Sequence, residues 1–152
     1  MRISIGADHA GFQLKGKIKE LLLGQGIEVD DRGTYSEESV DYPDYARAVG
    51  ERVAQGLADG GILICGTGIG MSIAANKIPG IRAANAGSEP AAQLSREHNN
   101  ANVLTLGARL LDDDSAFRIV EAWLRASFAG GRHQRRVEKI TQMEREATPK
   151  IK

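Results

Sequence analysis

The sequence predicts an α/β protein, a three-layer α/β/α sandwich built on a doubly wound, five-stranded parallel sheet. Two observations carry that expectation. Short apolar runs alternate along the chain with longer segments whose apolar residues recur every three or four positions, and strands alternating with helices make a parallel sheet covered on both faces. Several of the 18 glycines stand where the apolar runs end, as turns from strand to helix require. The 152 residues suggest one domain. A chain of this length buries roughly 70% of the surface it exposes when unfolded.

Arg2 to Gly6 (RISIG) reads as a strand running into Ala7-Asp8-His9-Ala10-Gly11. Phe12 to Leu23 carries Leu14, Ile18, Leu21 and Leu22 at helical spacing with lysines opposite, and Gly24 and Gly26 stop it. Ile27 to Val29 is a short strand, and 34–43 a polar loop. Tyr45 to Leu57 sets Tyr45, Val49, Val53 and Leu57 on one face of a helix. Gly61 to Cys65 (GILIC) is an apolar run too short for a helix, so it reads as a buried strand. After Gly66-Thr67-Gly68-Ile69-Gly70 a helix is expected over Met71 to Lys77, and Pro79-Gly80 makes a turn. Ile81 to Ala84 is a weak strand, Ala91 to Glu97 a helix ending near His98-Asn99-Asn100, and Val103 to Leu106 a strand.

Ser115 to Phe128 is a helix with Phe117, Val120, Trp123 and Leu124 inward, broken by Gly130-Gly131. Gln134 to Ala147 is a last, charged helix whose apolar stripe is thin: Val137, Ile140 and Met143. The whole is Rossmann-like and is read as a single domain over 1–152, with an α/β core at 1–128 and a C-terminal helix and tail at 129–152. The thin stripe predicts that this helix lies over the sheet edge or extends to a partner subunit.

Lys and Arg number 20, as do Asp and Glu, so the net charge is 0. No global field then draws nucleic acid or an acidic membrane to the chain. Cys65 is the one cysteine, so no intrachain disulfide forms. A lone thiol without a secretory segment points to the reducing cytoplasm. The opening MRISIGADHAG is too short and too polar for a signal sequence, and no apolar run approaches the ~20 residues of a membrane span. Three histidines, at 9, 98 and 133, and one cysteine offer no zinc-type ligand spacing, so no metal is expected.

Ligands of doubly wound sheets bind outside the carboxyl ends of the strands. The residues that matter most are then Asp8 and His9, Cys65 to Gly70, the segment after Ala84, and Gly107 to Arg109. Of these, GILICGTGIGMS sets a thiol at the end of a buried strand, before glycines at every second position. Glycines allow close backbone approach, and successive N–H groups in such a loop can form an anion nest. A thiol there can act as nucleophile or base. Three other readings fail on spelling. A dinucleotide fingerprint needs a third glycine at position 71, which is Met71. The Walker pattern is absent. A cysteine phosphatase loop needs an arginine at the same position 71.

Asp8 and His9 follow the first strand, at the edge that carries Cys65. His98 closes a helix beside Asn99. Arg132 and Arg136 are four apart and share a helix face, which suits a phosphate clamp because guanidinium forks bind phosphate bidentately. Arg109 follows the strand ending in Leu106-Gly107. Taken singly, each has a plain alternative: a buried structural cysteine, a loop cap, a helix-dipole partner, a solvated basic face.

GADHAGFQLK, Asp41-Tyr42-Pro43, GILICGTGIGMSIAANK, GIRAA, REHN, NVLTLGAR and GGRHQRRV together resemble the type B ribose 5-phosphate isomerases, a family that also holds allose 6-phosphate isomerases and galactose 6-phosphate isomerase subunits. The resemblance runs from residue 1 to about 146. It implies a doubly wound α/β fold and an enzyme, an intramolecular oxidoreductase that interconverts aldose and ketose phosphates without metal or organic cofactor. It implies a homodimer or homotetramer with the active site at a subunit interface. Position by position, it makes Cys65 the base that moves a proton between C1 and C2 through a cis-enediolate. Gly66, Thr67, Gly68, Ile69 and Gly70 supply N–H groups to the enediolate, and Tyr42 joins the substrate-binding residues. His98 opens the sugar ring, with Thr67 nearby. Asp8 and Asn99 hold sugar hydroxyls, and His9, Arg109, Arg132 and Arg136 surround the phosphate. Members that lack the cysteine carry a glutamate base where this chain has Met71. The segment Asn85 to Pro90 (NAGSEP) departs from the family pattern and bears on the wall of the sugar pocket.

The expected reaction is interconversion of D-ribose 5-phosphate and D-ribulose 5-phosphate. The alternative is a six-carbon aldose phosphate such as allose 6-phosphate. A non-catalytic phosphosugar-binding module ranks lower, since all the proposed catalytic residues are present.

Overall fold

A computed structural model describes residues 1–149. The element order is β1 (Arg2–Ala7), α1 (Phe12–Gly24), β2 (Glu28–Asp31), α2 (Tyr42–Ala54), β3 (Gly60–Cys65), α3 (Ile69–Ala75), β4 (Ala83–Asn85), α4 (Glu89–Asn99), β5 (Val103–Gly107), α5 (Asp113–Arg125) and α6 (Arg132–Ala147). Every strand pairing is parallel, in the order β2-β1-β3-β5-β4. The five strands and their alternation with helices are those the sequence predicts. Their boundaries shift by a few residues where local chemistry decides. Helix α2 starts three residues early, behind Asp41 and with Pro43 in its first turn, and Leu57 falls beyond its end. Helix α4 starts at Glu89 because the Ser88 side chain accepts from the Ala91 N–H at 3.2 Å.

All six residues of β3 are buried, which explains its unbroken apolar run: a central parallel strand is covered on both faces. Ile62 and Ile64 face one layer, where Ile18 and Leu22 of α1 and Ile119, Val120 and Trp123 of α5 meet Ile3, Ile5, Leu104 and Leu106. Leu63 and Cys65 face the other layer, with Ala46, Val49 and Val53 of α2, Met71 and Ala75 of α3, and Val103. Each fully buried Leu, Ile or Met contributes about 1.5–3 kcal/mol, so the sheet is fixed from both sides. Position 71 is thereby occupied by a packed core methionine.

The chain winds from β1 outward to β2, then crosses back to place β3 on the other side of β1. The topological switch lies between β1 and β3, where a crevice opens at the carboxyl ends. Helix α6 packs on α4 and runs past the β4 edge across a cleft. Val137 is buried while Ile140 and Met143 are exposed, and Glu144 accepts from the Gly80 N–H at 3.0 Å. Among the described residues no helix is long and apolar enough to cross a membrane.

Candidate active site

Cys65 ends β3 at the switch-point crevice with 4% of its surface exposed. The chain turns at once. Gly68 has φ +79°, a left-handed conformation that costs a side-chain-bearing residue and suits glycine. This turn aims the Gly68 N–H back at the Cys65 Sγ, 3.2 Å away. The Ile69 N–H donates to Thr67 Oγ1 at 3.2 Å, and α3 begins there, two residues before the position expected. The expected nest is thus partly turned on itself, with one N–H aimed at the thiol.

The other glycines of the loop are needed for contact. A Cβ on Gly70 would stand 2.6 Å from the Tyr42 ring, so Tyr42 at the start of α2 packs directly on the loop backbone. The Arg109 guanidinium lies over Gly66, where a Cβ would meet its Nη1 at 3.0 Å. Arg109 reaches this place because β3–β5 pairing continues beyond the strands: the Ala108 N–H donates to the Cys65 carbonyl at 2.9 Å and the Arg109 N–H to the Gly66 carbonyl at 3.0 Å.

On the β1 side, the Asp8 N–H donates to the Ile64 carbonyl at 3.2 Å, which sets Asp8 beside the end of β3. Its Oδ1 accepts from the N–H groups of Ala10 and Gly11 at 3.0 and 3.2 Å, so the buried carboxylate is oriented by its own turn. His9 Nδ1 accepts from the Val40 N–H at 3.2 Å. That bond places the proton of the neutral ring on Nε2. It also ties the 34–40 loop to the turn after β1.

The sequence did not reveal the role of Asn85. Its side chain fills the space above Gly68, where a Cβ would stand 2.3 Å from Oδ1. Oδ1 accepts from the Thr105 hydroxyl at 3.3 Å, and Nδ2 reaches the Thr67 carbonyl at 3.5 Å. The only signal in the sequence was that segment 85–90 departs from pattern. The structure resolves it into a loop brace at Asn85 and a helix cap at Ser88.

Asp8, His9, Tyr42, Cys65 to Gly70 and Arg109 therefore share one edge. His98, Asn99, Arg132 and Arg136 do not join them. Helix α4 leaves the carboxyl end of β4 and runs antiparallel to the strands. Its last residues, His98 and Asn99, accordingly lie next to 100–102 at the amino end of β5, and the Gly61 N–H donates to the Asn102 carbonyl at 2.9 Å. That end is separated from Cys65 by about the length of α4, ~16 Å at 1.5 Å per residue. The start of α6 joins His98 there: the rings of His98 and His133 stack with centroids 4.1 Å apart and planes 11° from parallel. Burial, His98, Arg132 and Arg136 together hold His133 below its ordinary pKa. Asn99 lines a cleft of about 770 Å³ between the β4 edge and α6, shared with Ile81, Arg82, Ile140 and Glu144. Within one chain the predicted site is thus two half-sites: a thiol with its loop at the carboxyl edge, and imidazoles with guanidiniums at the opposite end. Among the described residues, no three His, Cys, Asp or Glu side chains gather as a metal site.

Residues 3–140 match the Ribose/Galactose Isomerase family. The chain is 54% identical over 143 residues to ribose-5-phosphate isomerase B of Escherichia coli, covering 94% of this chain and 96% of that one. Among solved structures it resembles the Clostridium thermocellum ribose-5-phosphate isomerase B, with a TM-score of 0.97 and 53% identity over 97% of this chain and all of that one. It also resembles the Mycoplasma genitalium ribose-5-phosphate isomerase B with bound ribulose-5-phosphate, with a TM-score of 0.93 and 46% identity over 96% of this chain and 97% of that one.

Proposed function

The chain belongs to the ribose/galactose isomerase family, and from that premise we propose that it interconverts D-ribose 5-phosphate and D-ribulose 5-phosphate. The observation that carries the reading is the placement of Cys65. It is a thiol at the mouth of the switch-point crevice with a backbone N–H aimed at its sulfur, on a fold shared with a relative whose structure holds ribulose-5-phosphate.

The residues divide the work by chemistry. His98 protonates the ring oxygen as the C1–O bond breaks and the anomeric hydroxyl gives up its proton, which opens the sugar to the aldehyde. The Cys65 thiolate then takes the proton from C2 of the open aldose. The electrons move into a cis-enediolate whose developing charge meets the N–H groups of the 66–70 loop. The proton returns at C1 while the C2 hydroxyl proton passes to O1, and the ketose forms. Asp8, fixed by the Ala10 and Gly11 N–H groups, accepts from sugar hydroxyls, with Asn99 as its companion. Tyr42 walls the loop. His9 and the guanidiniums of Arg109, Arg132 and Arg136 hold the phosphate. Because His98, Asn99, Arg132 and Arg136 lie at the far end of the same chain, a complete site takes them from a second copy. The working unit is then a homo-oligomer with sites at its subunit interface. The domain is the single unit 1–152, and a cytoplasmic location fits a lone unpaired thiol.

A panel of five- and six-carbon aldose phosphates tests the reading. kcat/KM highest for ribose 5-phosphate is expected. A preference for allose 6-phosphate would reassign the sugar, and no turnover of any aldose phosphate, with phosphosugar binding retained, would reduce the chain to a binding module.

A further inference from the structure

His98 and His133 stand on different helices, and their rings meet where those helices join end to end. His98 is the penultimate residue of α4 and His133 the second residue of α6. The Ala129 N–H donates to the Glu97 carbonyl at 3.0 Å and ties the connecting segment to the same α4 terminus. The two helix ends have opposite polarity. The amino end of α6 opposes positive charge at His133. Arg132 and Arg136 flank His133 on its own helix, and His98 faces it from α4; with burial, all three disfavour a charge there. Two imidazoles at 4.1 Å also repel when both are charged. His133 therefore presents a neutral aromatic face to the His98 ring.

We propose that His133 is a positioning residue for His98, its stacked ring fixing the plane in which that imidazole delivers a proton to the sugar. The proposal rests on the reading of His98 as the ring-opening acid. A neutral ring face against an imidazolium is a cation–π contact, so the stack holds the plane of the His98 ring while it delivers its proton. His133 acts through His98, and its effect belongs to ring opening alone.

The test uses the full chain, with ribose 5-phosphate as a ring-forming substrate and a four-carbon aldose phosphate, erythrose 4-phosphate, as an open-chain one. His133→Ala is expected to lower kcat on the ring-forming sugar about tenfold, the scale of a lost cation–π contact. KM and turnover of the open-chain sugar should change by less than about twofold. His133→Phe, which keeps a ring face and cannot titrate, should restore most of kcat. Equal losses on both sugars, no loss in His133→Ala, or no rescue by phenylalanine would overturn the proposal. His98→Asn separates the two levels. If it impairs both sugars equally, the ring-opening reading itself fails. If it discriminates between them while His133→Ala does not, the stack alone is refuted.

Discussion

At the scale of single residues, the site depends on backbone donors whose direction is set by few positions. Gly68 can turn its N–H to the Cys65 sulfur because it adopts φ +79°, and Asn85 fills the space beside that turn. Cys65 itself packs between α2 and the sheet, and alanine fits there with a small loss of volume. Cys65→Ala should therefore fold and bind phosphosugar nearly as the wild type does, while kcat falls by at least the ~10²–10⁴ that a positioned base contributes. Circular dichroism, ligand titration and the isomerase assay check this together. A variant retaining more than a tenth of wild-type kcat would remove Cys65 from the mechanism.

At the scale of elements, two junctions carry predictions. The first ties α1 to β2. Lys15 Nζ lies 2.6 Å from Asp31 Oδ1, with side-chain exposures of 4% and 15%. Burial pushes the Asp31 carboxyl up, but Lys15, the Gly33 N–H and Lys19 outweigh it and hold the group below the usual carboxylate range. A carboxyl lowered by folding adds stability above its unfolded pKa of about 3.9, and this is lost as pH falls through the lower folded value. Asp31→Asn should cost about 3 kcal/mol at neutral pH, since it strands a buried ammonium. It should also flatten the acid limb of a chemical-denaturation series. Because Asp31 Oδ1 also accepts from the Gly33 N–H at 2.9 Å, and Gly33 is bonded to Ala7, the change reaches the end of β1 beside the crevice.

The second junction is α6. Charge-assisted contacts to phosphate contribute about 1.5–3 kcal/mol each, so Arg136→Ala should raise KM roughly tenfold or more and blunt the preference for phosphorylated over free sugars. Deleting residues 130–152 should abolish activity and weaken assembly together, which sedimentation and the isomerase assay measure side by side. A truncated chain that remains a fully active oligomer would place neither the clamp nor the interface in this segment.

At the scale of the whole molecule, the proposed sharing of two half-sites predicts complementation between copies. Cys65→Ala keeps an intact His98 end, and His98→Asn keeps an intact Cys65 edge. In a mixed dimer, one of the two sites receives a good residue from each copy. Unfolding and refolding equal amounts of the two inactive variants together should recover roughly a quarter of wild-type activity, since half the dimers are mixed and half their sites complete. Recovery that stays at the level of the separate variants would mean that each chain assembles its own site.

Periodicity and punctuation determined much of this protein. The fully apolar GILIC run could only be a strand covered on both faces, and the amphipathic segments could only be helices laid on a sheet. These are local consequences of which side chains leave water. The glycine spacing after Cys65 likewise exposed the loop proposed to carry the base, because close approach and positive φ leave a mark in the sequence. Tertiary structure alone decided the rest. Strand order put β5 between β3 and β4 and so carried Arg109 onto Gly66. It also brought Asn85 over Gly68 through its register with Thr105 on β5, a pairing between residues twenty positions apart that no local pattern records. His98 ended up remote from Cys65 for a geometric reason. A helix following a parallel strand must return along it, so the end of α4 reaches the amino edge of the sheet while the end of β3 stays at the carboxyl edge.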